Sequence, residues 1–341
     1  MRTGVGKCSL PLSLLPYCAI VPATAIDCHR LPPTAAIYVG REQSWSAART
    51  LTWAAEAGLQ FVSVQALRNW VALAVEPMLL QSGDAVGDPR GLIFRQLWDT
   101  TTSTFTYLLG DPSTRQAIII NPVLERAERD AMLARELGLH LTLALNTHVH
   151  ADHISGTGKL KSLVPGLRSA IGTPGAHADV HLKDGDAVHF GGRSLRARAT
   201  PGHTGGCFSF VLDDESAVFT GDALFVRGCG RTDFQVGNAT TLYDSITRVI
   251  FALPTACTIY PGHDYNGHTH STVGEERLFN PRLGAGRSLS EFVAIMGSLN
   301  LPPPKLLDVS VPANLLDGNA PGASTYDQQP LPPVVCAVPP A

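Results

Sequence analysis

The sequence predicts an α/β fold in which two packed sheets carry helices on their outer faces. Three observations predict it. Apolar runs of strand length occur in sequence-local pairs, segments of helical periodicity stand between those pairs, and four strand ends run into short turns bearing His or Asp.

Up to about Gly91 the pattern is unsettled. Pro11, Pro16, Pro22, Pro32 and Pro33 punctuate it, a single helix is expected over residues 46–58, and no chemistry shows. Residues 1–91 therefore read as an N-terminal extension, either a transit peptide or the product of an uncertain gene start. The pattern changes at Leu92. Strands are expected over residues 104–109 and 117–120, parted by the turn signal Gly110-Asp111-Pro112-Ser113. A helix over 123–137 follows, with Val123, Leu124, Ala127, Ala131, Ala134 and Leu137 near one face and Gly138 as its stop. The strand 141–145 then leads into His148. Residues 187–199 read as a hairpin turning at Gly191-Gly192, and 208–212 with 217–220 as a second, turning through Asp213-Asp214-Glu215. A helix over 242–253 and a strand over 258–260 complete the pattern. Beyond Asn314 the chain is rich in Pro, Gly, Ala and Ser, so the catalytic domain is placed at residues 92–317 and a tail without fixed structure at 318–341.

Composition narrows the function classes. The 341 residues are 44% hydrophobic, enough for a substantial core, and the formal net charge of -3 with no basic stripe argues against nucleic acid. The most apolar early stretch, 61–81, is broken by Arg68, Asn69, Glu76 and Pro77, so no membrane span is expected. Seven cysteines without a C-x-x-C pair do not make a secreted disulfide framework. The first 26 residues hold Arg2 and Lys7 and no acidic residue, which is compatible with an organellar import signal though poor in Arg.

The strongest chemical signal is His148-Val149-His150-Ala151-Asp152-His153, directly after a predicted strand. Four side chains able to bind metal crowd into six positions, a density that a solvated polar loop rarely reaches. Thr200-Pro201-Gly202-His203, Thr220-Gly221-Asp222 and Pro261-Gly262-His263 repeat the form of a strand, a Gly turn and a ligand type. Each alone is an ordinary turn. Together the four segments offer seven ligands to one convergent site.

In these residues the chain resembles the metallo-β-lactamase superfamily, whose H-x-H-x-D-H motif stands as His148 to His153, followed in order by His203, Asp222 and His263. The resemblance covers roughly residues 92–314 and implies an αββα four-layer sandwich with its metal site at one edge of the two sheets. That fold hosts many reactions, so neighbouring residues must decide the function. Arg227-Gly228-Cys229-Gly230-Arg231-Thr232-Asp233-Phe234-Gln235 is similar to the persulfide dioxygenase branch. So are Ser103 to Leu109, Ser271 to Arg277, Asn280-Pro281-Arg282, Phe292 to Leu301 and Val311-Pro312-Ala313-Asn314. Two departures stand out: Asp317 occupies a place where many relatives carry Cys, and no rhodanese-like domain follows.

The resemblance implies one Fe(II) per chain on His148, His203 and Asp222, an arrangement suited to non-haem oxygenases, with Zn as the alternative. It implies oxidation of glutathione persulfide by O2 and water to sulfite and glutathione, within mitochondrial sulfide catabolism. His150, Asp152, His153 and His263 would hydrogen-bond the ligands, with Asp152, His153 and His263 also in the catalytic set. Arg231 would hold the anionic substrate, or else form an ion pair with Asp233. Cys229, between two glycines, reads as packing. The rival is a glyoxalase II-like hydrolase of glutathione thioesters, in which all seven ligands would hold two metal ions. A non-enzymatic scaffold would have lost ligands, and none is lost. Expected partners are glutathione persulfide and O2, with a homodimer as the assembly if the chain associates.

Overall fold

The computed structural model of the chain describes residues 91–319. The helix expected at 46–58, the extension up to residue 90 and the tail from residue 320 lie outside the described residues.

Among the described residues twelve strands form two six-stranded sheets. The first holds β1 (Ile93–Asp99), β2 (Thr104–Gly110), β3 (Gln116–Ile120), β4 (His140–Asn146), β5 (Arg168–Ile171) and β6 (Val180–His181) in sequence order. The second holds β7 (Ala187–Phe190), β8 (Arg193–Ala199), β9 (Phe208–Leu212), β10 (Ala217–Gly221), β11 (Thr258–Pro261) and β12 (Ser271–Thr272), also in order. β1 to β3 form an antiparallel meander, and β4 to β6 add in parallel.

Side-chain alternation explains the layering. Along β3, Ile118 and Ile120 join the core between the sheets while Ile119 joins the cluster outside the first sheet. Phe210, Leu212 and Phe219 likewise point inward, and Val211 and Val218 outward. Strands buried on both faces read as unbroken apolar runs because helices cover them. Outside the first sheet lie α1 (Ala127–Glu136), through Ala127, Ala131 and Ala134, and α2 (Thr157–Leu163), through Leu160. Outside the second lie α3 (Ala239–Ser245), α4 (Val273–Phe279) and α5 (Leu289–Gly297), through Leu242, Val273, Phe292 and Met296. The described residues thus build the αββα sandwich that the resemblance implies. Burying a side chain such as Ile118, Ile119 or Ile120 fully contributes about 1.5–3 kcal/mol.

The helices differ from expectation for local reasons. The helix expected from Val123 starts at Ala127, after a 3-10 turn over Leu124–Arg126. Val123 is extended, bridging Ser155, and the Leu124 N–H donates to Ile154 O at 2.9 Å, so the first turn is given up to the ligand loop. Gly138, at φ 63°, ends the segment as read. The helix expected over 242–253 begins earlier, where the Asn238 side chain accepts from the Thr241 N–H, and widens into a π-helical turn over Ile246–Ile250.

The C-terminal boundary needs correction. α6 (Leu307–Asn314) is followed by a packed turn rather than by loose chain. Gly318 is buried with its N–H donating to Ala313 O at 2.9 Å, and Asn319 Nδ2 donates to Leu316 O at 2.8 Å. The sequence alone places both in the tail. Asp317 accepts from Lys161 Nζ at 3.1 Å and Ser169 Oγ at 2.8 Å. Among the described residues no helix is long and apolar enough to cross a membrane.

Two predicted turns meet at one carboxylate. Asp111, in the β2–β3 turn, accepts from the N–H and hydroxyl of Ser113, the hydroxyl of Thr114, and the N–H of Gly192 in the β7–β8 turn of the other sheet. Burial opposes its ionisation, but these donors outweigh burial and hold the carboxyl well below the ordinary carboxylate range. Asp111→Ala is expected to destabilise the fold by roughly 1.5–3 kcal/mol, measured by urea unfolding at pH 7. Because the folded value is depressed, this stabilisation is complete above the unfolded-state value of about 3.9 and is lost as pH falls through the folded value. The gap between variant and parent should therefore narrow in acid.

Candidate metal centre

Four strand ends converge at one edge of the sandwich. β4 delivers the loop of residues 147–156, β8 leads to His203, β10 to Asp222 and β11 to His263. The ends of β10 and β11 approach closely, with the Gly262 N–H donating to Gly221 O at 2.8 Å. A Cβ on Gly262 would stand 2.4 Å from Asp222 Oδ1, so only glycine admits the carboxylate there.

His148, His203 and Asp222 offer ligand atoms that all lie within 4.8 Å of one another, and His150, Asp152 and His153 form a second such group. Hydrogen bonding fixes which nitrogen each imidazole presents. Asn121 Oδ1 accepts from the Thr147 N–H at 2.9 Å and the Thr147 hydroxyl at 3.1 Å. That hydroxyl must therefore accept from His148 Nδ1 at 3.0 Å, which leaves His148 Nε2 as a lone pair. His203 Nδ1 donates to Arg231 O at 2.7 Å, leaving Nε2, which stands 3.6 Å from Asp222 Oδ2. His150 Nε2 donates to Asn121 Oδ1 at 3.2 Å, and His153 Nδ1 donates to Asp152 Oδ2 at 2.8 Å. Their other nitrogens, His150 Nδ1 and His153 Nε2, are buried without a protein partner.

Three buried rings and the half-buried His203, with protons committed outward and lone pairs unpaired by protein, fit a metal ion, whereas a polar cluster closed on itself would have paired them. Burial, reinforced by neighbouring imidazoles, pushes the pKa values of His148 and His150 well below the usual value, so both stay neutral as ligands must.

His263 is different. Its Nδ1 lies 2.8 Å from Asp222 Oδ1 and its Nε2 2.9 Å from Asp152 Oδ2. Both nitrogens face carboxylates, and although burial opposes charge the two carboxylates raise its pKa well above the ordinary value. Burial likewise opposes the ionisation of Asp152, and His263 with His153 overcomes it.

Arg231 is paired with groups of the chain itself. Its Nε and Nη2 donate to the two carboxylate oxygens of Asp233 at 2.7 Å each, Nη1 donates to Pro302 O at 2.6 Å, and Nη2 to Leu301 O at 3.3 Å. The guanidinium also lies over the Phe234 ring at 4.5 Å. The ion pair with Asp233, weighed from the sequence, is what forms, and the residue meets the site through its carbonyl on His203.

Sequence reasoning assigned no role to Thr104, Asn121 or Thr147, nor individual roles to Gln235 and Asn314. Thr104 Oγ1 lies 3.1 Å from His263 Nε2 and 3.3 Å from Asp152 Oδ2. Gln235 Nε2 donates to Val149 O at 2.8 Å. Cys229 is buried against Met296, as its reading for packing requires, and burial raises the Cys207 and Cys257 thiols to about 12.

Comparison with known proteins follows these residues. Residues 99–263 match the family model of the metallo-beta-lactamase superfamily. The chain is 57% identical over 233 residues to "Persulfide dioxygenase ETHE1, mitochondrial" of Homo sapiens, covering 68% of this chain and 91% of that one. It is 34% identical to a probable metallo-hydrolase of Burkholderia pseudomallei, over 66% of this chain and 92% of the relative. Among solved structures, ETHE1 from Myxococcus xanthus aligns with a TM-score of 0.64 at 51% identity, covering 67% of this chain and all of that one.

Gly230 tests the packing of the centre. A Cβ there would stand 2.2 Å from Asp222 O and 2.8 Å from His203 Nδ1, whereas one on Gly228 would meet only Phe225, at 3.7 Å. Gly230→Ala is expected to displace two ligands, cost about 1–3 kcal/mol and lose metal, while Gly228→Ala keeps both. Metal analysis and thermal unfolding of the pair decide it; equal behaviour would refute the proposed crowding.

Proposed function

Because the chain belongs to the persulfide dioxygenase family of the metallo-β-lactamase superfamily, we propose that it is a sulfur dioxygenase holding one Fe(II) on His148, His203 and Asp222. The substrate is glutathione persulfide. The reaction combines persulfide, O2 and water to give glutathione, sulfite and two protons. Both atoms of O2 and the water oxygen end on the terminal sulfur, which loses four electrons as the S–S bond breaks.

One observation carries the mononuclear reading: His148 and His203 present free Nε2 lone pairs beside Asp222, whereas both nitrogens of His263 are taken by carboxylates. Two imidazoles and one carboxylate leave positions open on an octahedral ion. A bound ferrous ion supplies the one-electron chemistry that triplet O2 needs to react with a closed-shell sulfur. The chain's own residues orient and neutralise. Arg231 O fixes the ring of His203, and its guanidinium fastens that carbonyl to the 301–302 segment. His263 places a proton between Asp152 and Asp222 and supplies the positive charge that a second metal ion would bring to a hydrolase. Asp152 Oδ2 accepts from His153 and His263 and so holds both rings in place.

Asp222→Ala is expected to abolish iron retention, since it leaves two neutral imidazoles to hold a dication. His263→Ala should keep most of the iron and lose roughly 10- to 100-fold in turnover. Elemental analysis and oxygen uptake on glutathione persulfide read both. Two tightly held zinc ions with thioesterase activity, or equal metal loss in both variants, would move the glyoxalase II-like hydrolase ahead.

We further assign catalysis to the domain that begins at residue 92 and includes the packed turn through Asn319, and mitochondrial import to residues 1–91, supported by the mitochondrial names of the relatives and the acid-free first 26 residues. Protein lacking residues 1–90 should keep its iron and activity, and a reporter carrying 1–91 should enter mitochondria. A diffuse cytosolic reporter would reject the import role.

A further inference from the structure

The main chain from His150 to Ser155 leaves the sheets and has no strand ladder to satisfy it. Ile154 O is met by the Leu124 N–H, and three further polar groups are met by one distant side chain. Asn314 Nδ2 donates to His150 O and to His153 O, each at 2.8 Å, and Asn314 Oδ1 accepts from the Ser155 N–H at 2.7 Å. The amide is 6% exposed and uses both protons and its oxygen. Its orientation is determined, because a flipped amide would set its oxygen against two carbonyls.

Asn314 is itself held firmly. It closes α6, whose Val311, with Leu315 just beyond, packs on Val149, Ile171 and Ala176. Leu315 O accepts from the His177 N–H at 2.8 Å, and Asp317 is tied to Lys161 and Ser169 in the following turn. The bracket therefore stands on anchored structure, some 160 residues from the loop it holds.

We propose that Asn314 is a positioning residue for the metal centre: its amide sets the spacing of the His150 and His153 carbonyls and so aims the side chains of residues 148–153. It touches no ligand atom and acts only through the main chain. The inference rests on the reading that this centre holds iron.

Asn314→Asp preserves shape and the bond from Ser155 but turns a carboxylate oxygen toward both carbonyls, so the loop must open. Iron affinity, by chelator competition, is expected to fall roughly 10- to 100-fold. In metal-free protein, hydrogen exchange at the amides of residues 150–155 should accelerate. Leu253→Ala, a buried change on the outer face of the second sheet, controls for general destabilisation at a matched unfolding midpoint. It should leave iron affinity and loop exchange near the parent's. Asn314→Gln keeps both donors on a longer arm and should fall between parent and Asn314→Asp; if the aspartate variant fails to fold, the glutamine variant decides alone. Parental affinity in the Asn314 variants, or an equal loss in Leu253→Ala, overturns the proposal. A parent protein that holds no iron would instead defeat the reading of the centre.

Discussion

Burying imidazoles in quantity is the constraint from which this structure follows. His148, His150, His153 and His263 are at most 1% exposed and crowd against Asp152 and Asp222. A buried ring whose proton has no acceptor, or whose charge has no partner, costs more than the packing around it returns. Each proton is therefore assigned: to Thr147, to Asn121, to Arg231 O, to Asp152, and in His263 to two carboxylates. The remaining lone pairs can only look inward.

The sheets answer that constraint by geometry. The site gathers residues from both sheets, and the parallel pair β10 and β11 brings Asp222 and His263 side by side. Because ligands come from loops after the strands, the sandwich is unchanged by what those loops carry, which is how one scaffold serves hydrolases and oxygenases alike. At His263 both ring nitrogens face carboxylates, which sets it apart from the other histidines of the site.

Legibility followed sequence distance. The candidate ligands were readable because four of them stand within six positions and the others follow strand-end turns. Strands 104–110 and 116–120 were readable from apolar runs bounded by turn residues. The partners that set ring orientation were not, since Asn121 and Thr104 reach the histidines only after the sheets assemble. The partners of Arg231 were legible only in part: Asp233 stands two positions away in the sequence, whereas the carbonyls of residues 301 and 302 meet the guanidinium only in the fold. β5 and β6 are too short to show periodicity, and Pro312 hides α6. The start of α5 was legible but unread, since Ser288 and Glu291 form a capping box.

The fate of the thiols has a chemical consequence. A persulfide hands its outer sulfur readily to any accessible thiolate, so an enzyme handling one risks modifying itself. Among the described residues Cys207, Cys229 and Cys257 are buried with their thiols kept protonated, and Asp317 secures the turn after α6 by charge. These three thiols are thus poor acceptors for a persulfide's outer sulfur.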